Sequence, residues 1–91
     1  MSDEAIAARL SALSGWQIED GALTKLYSFS SYASGVMFGA AVGQLADALN
    51  HHPDLLIGYQ QVRVSLVTHD AGGGLTAYDF ELARRIDERL G

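Results

Sequence analysis

Apolar side chains recur along this chain at two spacings, helical over some stretches and alternating over others. The changes between them mark out seven elements. Ile6, Leu10 and Leu13 fall at helical spacing and predict a first helix. Ser2 stands where a cap belongs, and Asp3 and Glu4 suit the positive end of the helix dipole. Ser14-Gly15 should end it, and Trp16 to Glu19 reads as a short strand. Asp20-Gly21 is a strong hairpin-turn dipeptide. A returning strand then runs from about Ala22 to Phe29, with Leu23, Tyr27 and Phe29 on one face around Lys25.

Ser30 or Ser31 caps a second helix whose apolar stripe is Phe38, Val42, Leu45 and Leu49. Pro53 cannot continue a helix and biases His52 away from helical geometry, so this helix should stop near Asn50. Gly35, Gly39 and Gly43 fall four apart, which favours close packing of that side against a sheet or a partner helix. Leu55-Leu56-Ile57 is a short apolar strand. Gln61 to His69 is a clearer one, with Val62, Val64 and Leu66 on one face and Arg63, Ser65 and His69 on the other. Asp70-Ala71-Gly72-Gly73-Gly74 reads as a loop, and Thr76 caps a third helix with Leu82, Ala83, Ile86 and Leu90 inward. The order helix, two strands, helix, two strands, helix predicts an α+β fold. The expectation is a two-layer sandwich, a four-stranded antiparallel sheet covered on one face by helices, in a single domain over residues 1–91.

Charge narrows the partners. Six basic against eleven acidic residues leave a net charge of −5, which argues against direct nucleic-acid binding and against an anionic membrane surface. The stretch from Ala33 to Gly43 is uncharged but only eleven residues long, far short of the roughly 20 that a membrane-spanning helix needs. The acidic N-terminus does not resemble a secretory signal. Cysteine is absent, which removes disulfides, thiolate catalysis and Cys-based zinc sites and fits a cytoplasmic location.

The chemistry concentrates in one region. All three histidines, His51, His52 and His69, lie within nineteen positions, and histidine is the side chain that changes charge near neutral pH. Asp47 and His51 stand at i and i+4, so the carboxylate could orient the imidazole. Thr76-Ala77-Tyr78-Asp79 resembles a capping box with Asp in place of Glu, a structural role for Asp79. His69 stands at a strand end beside a Gly-rich loop, a common place for a reacting side chain. Three histidines and an aspartate could in principle hold a divalent metal. Their spacing is unlike the His-x-x-x-His pairs that grip zinc from one helix face, so no metal is expected. The glycine loop lacks the lysine and the pattern of a phosphate-binding loop. Trp16 and the four tyrosines offer either core packing or stacking surfaces for a heteroaromatic ring.

Taken together, Asp47, His51-His52-Pro53, Tyr59, His69 and Asp79, in that order and spacing, resemble the pterin-4a-carbinolamine dehydratase family. Leu49-Asn50 before the histidines, the Val62 to Asp70 segment, Trp16 and Phe29 agree with it, and the resemblance covers nearly the whole chain. It implies a lyase that removes water from a 4a-hydroxytetrahydropterin in tetrahydrobiopterin recycling, without a metal or other cofactor. His51 and His69 would be the acid/base pair and His52 would mainly position the pterin. Pro53, Val67, Thr68, His69 and Asp70 would help hold the ring, and Asp47 would orient His51. The resemblance further implies a homodimer or homotetramer and an upstream pterin-dependent aromatic amino acid hydroxylase. The alternative is a non-catalytic pterin-binding or dimerisation module. The chain departs from the family in its run of three glycines, which lengthens the loop, and in Gly35, where alanine is usual.

Overall fold

The computed structural model describes residues 1–68 and 74–91. Seven elements follow in order: α1 (Asp3–Ser11), β1 (Gln17–Glu19), β2 (Ala22–Ser28), α2 (Tyr32–Leu49), β3 (Asp54–Ile57), β4 (Gln61–Leu66) and α3 (Ala77–Arg89). This is the α+β order expected from the hydrophobic pattern. The strands form one antiparallel sheet in the order β1-β2-β4-β3. α2 therefore carries the chain from β2 past β4 to the far edge. That crossover brings the end of α2, with the histidine pair, to the β4 side of the sheet.

Local signals set the boundaries. Ser2 and Ser31 cap α1 and α2, their side chains accepting from Ala5 and Ser34 backbone N–H groups. Asp20 and Gly21 both take positive φ, 50° and 81°, as a tight hairpin with the twist of its strands requires. α1 stops earlier than Ser14-Gly15, closing at Ala12 with bonds back to Arg9 and Leu10. A short amphipathic helix frays where its packing ends, and only Ile6, Leu10 and Leu13 reach the core. The end of α2 is sharper. Asn50 is left-handed at φ 53°, its N–H bonds Asp47 O, and the His51 N–H reaches back to Ala46 O. These are the two bonds of a Schellman motif, and Asn tolerates the left-handed residue better than most.

The core lies between the sheet and α2 and α3. Leu23, Val62, Val64 and Leu66 from the sheet meet Phe38, Val42 and Ala46 of α2 and Phe80, Leu82, Ala83 and Ile86 of α3. The β2–β4 register pairs Leu23 with Leu66, Lys25 with Val64 and Tyr27 with Val62. The glycine row divides. A Cβ at Gly35 would meet Val62 at 3.3 Å and one at Gly39 would meet Ile57 at 3.1 Å, so both let the helix backbone approach the sheet. At Gly43 a Cβ would have nothing within 4 Å. α2 thus gains close approach from two of its glycines.

Asp87, near the end of α3, clasps the opposite side of the fold. It accepts from Trp16 Nε1 at 2.8 Å, Tyr27 Oη at 2.6 Å and Lys25 Nζ at 3.0 Å. Lys25 also donates to Ser14 O, and its ammonium stands 4.8 Å from the centre of the Tyr27 ring. Trp16 is buried in the core, so its indole packs inside the fold. Burial first, and then the Asp87 carboxylate, push the Tyr27 phenol well above its ordinary value.

Two outcomes follow from these contacts. Gly43→Ala should raise the urea midpoint by an amount equivalent to about 1 kcal/mol, the helix-interior difference between the two residues. Gly39→Ala should gain less, because Ile57 must move. Equal gains in the two variants would reject the packing assigned to Gly39. For Tyr27 the sign is set by a raised folded pKa. The unfolded phenol ionises from about pH 10 while the folded one stays neutral, so its stabilisation is complete below pH 10 and lost above it. Tyr27→Phe should cost about 1 kcal/mol at neutral pH and flatten the fall of stability above pH 10. Urea titrations across that range check both, and parallel alkaline slopes in wild type and variant would refute the assignment.

Candidate functional site

The histidine pair sits where α2 has just ended and before Pro53 forces extended backbone. Neighbouring residues in extended chain point apart, and the two imidazoles do so. The His51 side chain is only 12% exposed, that of His52 59%.

Each imidazole takes a different carboxylate, and the pairing differs from the expected one. Asp47 does not orient His51. Its Oδ1 lies 2.9 Å from His52 Nε2, in a contact open to solvent. The reason is the left-handed Asn50. Had the helix continued, positions 47 and 51 would share a face, but the reversal at residue 50 turns the next side chain inward. An exposed pair of this kind contributes little to stability.

His51 instead meets Asp79, with Nε2 2.5 Å from Oδ1. Asp79 is fully buried. It is the third residue of α3 and completes a capping box with Thr76, as its spacing predicted. Its Oδ2 accepts from the Thr76 N–H at 2.9 Å and from Thr68 Oγ1 at 2.8 Å. Thr68 and Thr76 hydroxyls are themselves 2.7 Å apart. Every oxygen of the buried carboxylate is therefore satisfied, and the positive end of α3 favours its charge. Removing one partner from such a buried pair is costly, on the order of 3–5 kcal/mol.

Asp79 thus has two tasks, as helix cap and as partner of His51. Sequence spacing could reveal the first, since it is local. The second spans 28 positions and depends on α2 and α3 meeting end to end. Thr68 and Thr76 were equally hidden as members of one hydrogen-bonded cluster, although the Thr-x-x-Asp pattern pointed to half of it. Tyr78 is one of the four tyrosines that offer a stacking surface, and the sequence does not single it out. Its ring centre stands 6.0 Å from that of His51 at a 34° tilt, and its side chain is exposed, so it offers a flat wall beside the imidazole. Tyr59 is exposed after β3, and Pro53 and Val67 are half-buried. His69, Asp70, Gly72 and Gly73 lie outside the described residues.

The base of that segment is defined. Thr68 and Gly74 form an antiparallel bridge, with the Thr68 N–H bonded to Gly74 O at 3.1 Å. The residue directly before His69 therefore belongs to the same cluster as His51. Among the described residues no three His, Asp or Glu side chains gather as a metal-ligand set. A cavity of about 480 Å³ opens elsewhere, by Lys25, Tyr27, Arg84 and Asp87. Neither His51 nor His52 lines it, and within it Lys25 and Tyr27 bond Asp87 while Arg84 bonds Glu88. It belongs to the clasp at the end of α3.

Chemically, the histidine end of the molecule can exchange protons. A half-buried imidazole has one ring nitrogen fixed by a buried carboxylate, a second imidazole in solvent beside it, and an aromatic wall. No described helix is long and apolar enough to cross a membrane.

Comparison with known proteins bears on the family and the fold. The family model described as "Pterin 4 alpha carbinolamine dehydratase" matches residues 1–89. A protein of Halobacterium salinarum named "Putative pterin-4-alpha-carbinolamine dehydratase" is 43% identical over 89 residues, covering 98% of this chain and 94% of its own. A protein of the same name from Roseiflexus is 44% identical over 88 residues, covering 97% and 94%. The crystal structure of a "transcriptional coactivator/pterin dehydratase" from Brucella melitensis superposes with a TM-score of 0.90 at 31% identity, over 100% of this chain and 98% of that one. A pterin dehydratase-like protein identified as a RuBisCO assembly factor in the alpha-carboxysome superposes with a TM-score of 0.65 at 25% identity, over 84% and 87%. The chain belongs to the pterin-4a-carbinolamine dehydratase family.

Proposed function

We propose that this chain is a hydro-lyase that removes water from a 4a-hydroxytetrahydropterin to give the quinonoid dihydropterin, by histidine acid/base catalysis. The reaction breaks the C4a–O bond, delivers a proton to the departing hydroxyl and removes one from the adjacent ring nitrogen as the C=N bond forms. Two proton transfers at neutral pH are work for imidazoles. His51 and His69 are the acid/base pair, and His52 positions the pterin. Pro53, Val67, Thr68 and Asp70 contribute to holding the ring, and Asp79 orients His51.

The observation that carries this reading is the bond between His51 and the fully buried Asp79. A surface histidine would not need a desolvated carboxylate with each oxygen satisfied. A general base oriented by such a carboxylate is a recurrent catalytic arrangement. The exposed Tyr78 ring beside it suits a flat heterocycle. The chemistry asks for no metal or redox cofactor. Tetrahydrobiopterin recycling downstream of a pterin-dependent aromatic hydroxylase, a cytoplasmic location and a homodimer or homotetramer complete the proposal.

The relative identified as a RuBisCO assembly factor favours a second reading, a non-catalytic binding or assembly module. The two differ in turnover. Stopped-flow absorbance with freshly generated carbinolamine should show accelerated decay by the wild-type chain. His69→Ala should lose about a hundredfold in rate, within the range for one acid/base group, with an unchanged circular dichroism spectrum. His51→Ala should fall by a similar factor, while Asp47→Ala, which touches only the exposed His52, should change the rate less than about threefold. Undiminished turnover in His69→Ala rejects its role, and wild-type binding without turnover favours the assembly module.

A further inference from the structure

The hydrogens around Asp79 can be placed by counting donors. Its Oδ2 accepts two bonds, from Thr68 Oγ1 and from the Thr76 N–H. An oxygen that accepts from two donors carries no hydrogen of its own, and an ionised carboxylate only accepts. On an Asp79 that is a carboxylate, Oδ1 bonds His51 Nε2 only where that nitrogen bears the hydrogen. A neutral imidazole has one N–H. With the hydrogen on Nε2, the free lone pair of His51 is on Nδ1.

Thr68 decides how firmly this holds. Its hydroxyl has a single hydrogen, which is used on Asp79 Oδ2. The 2.7 Å contact with Thr76 Oγ1 must then be a donation from Thr76. The cluster runs one way, from Thr76 to Thr68 to Asp79, and meets the His51 N–H arriving from the other side. We propose that Thr68 is a positioning residue. Acting through Asp79, it holds His51 as the Nε2–H tautomer and leaves Nδ1 as the nitrogen that exchanges protons with the substrate. This deepens the dehydratase reading and rests on it for the role of Nδ1.

A purely architectural Thr68 is the competing account. Its backbone bridges to Gly74 and closes the neck of the intervening segment. Thr68→Val separates the two, because valine keeps the branched shape and the backbone bridge and deletes only the hydroxyl. Asp79 would then keep the Thr76 N–H on Oδ2 but lose the bond that fixes its rotation.

The test is nitrogen NMR of the ¹⁵N-histidine-labelled chain in mildly alkaline buffer, with His51 assigned from a His51→Gln sample. In the wild type the His51 hydrogen should reside on Nε2. In Thr68→Val the ring should shift toward a mixture of tautomers, and kcat should fall about tenfold, a fraction of one acid/base contribution. Thr68→Ser should recover the wild-type tautomer and most of the rate. A wild-type ring with its hydrogen on Nδ1 overturns the proposal without reference to any variant. So does an unaltered tautomer ratio in Thr68→Val, or an altered ratio with no change in kcat. If the wild-type chain shows no turnover at all, the dehydratase reading fails, and the spectra alone still decide whether Thr68 positions His51.

Discussion

A fully buried carboxylate that must be satisfied is the constraint from which the rest of this molecule follows. Asp79 cannot stay charged in the interior without donors, and the fold supplies them from three places. The start of α3 gives the Thr76 N–H, the end of β4 gives the Thr68 hydroxyl, and the end of α2 gives His51. Each donor comes from an element boundary. The backbone there turns sharply, so a side chain or an amide can be aimed at one point. The cluster is at once a helix cap, a tie between three elements and the setting of an imidazole.

α3 carries a second such carboxylate. Asp87 follows Asp79 by eight residues, about 12 Å along the helix, and gathers Trp16, Lys25 and Tyr27 as Asp79 gathers its own partners. Between them runs the apolar face of Phe80, Leu82, Ala83 and Ile86. The helix is pinned at two points and packed between. Asp87 is partly exposed, and Trp16, Lys25 and Tyr27 all donate to it without bringing an imidazole. The two ends differ in chemistry although they are built alike, because among the described residues only one of them meets a histidine.

The adjacency of His51 and His52 also has a structural meaning. Asn50 and Pro53 bracket them with a left-handed residue on one side and an obligatory extended geometry on the other. The brackets send one ring inward to Asp79 and the other outward to Asp47. Relatives of this fold include a protein described as a coactivator and one identified as an assembly factor. The scaffold is therefore compatible with more than one use, and the proposal of proton transfer rests on the setting of the histidines.

Local chemistry sufficed for much of this. The helices and strands, the Asp20-Gly21 hairpin, the stop before Pro53, the Thr76 cap and the inward faces of the sheet were legible from the sequence. Each depends on residues within one or two turns, or on the period-two pleat. The association of Asp47 with His51 rested on the same local logic and was wrong, because a single left-handed residue between them reverses the chain. Partnerships across 11 or more positions lay beyond reach. His51 with Asp79, Thr68 with Asp79 and Trp16 with Asp87 arise only once α2 and α3 pack against the sheet. Spacing along a chain can assign a residue to a face, but the demand of a buried charge for donors is met by whatever the fold brings near, and only the folded chain decides which residues those are.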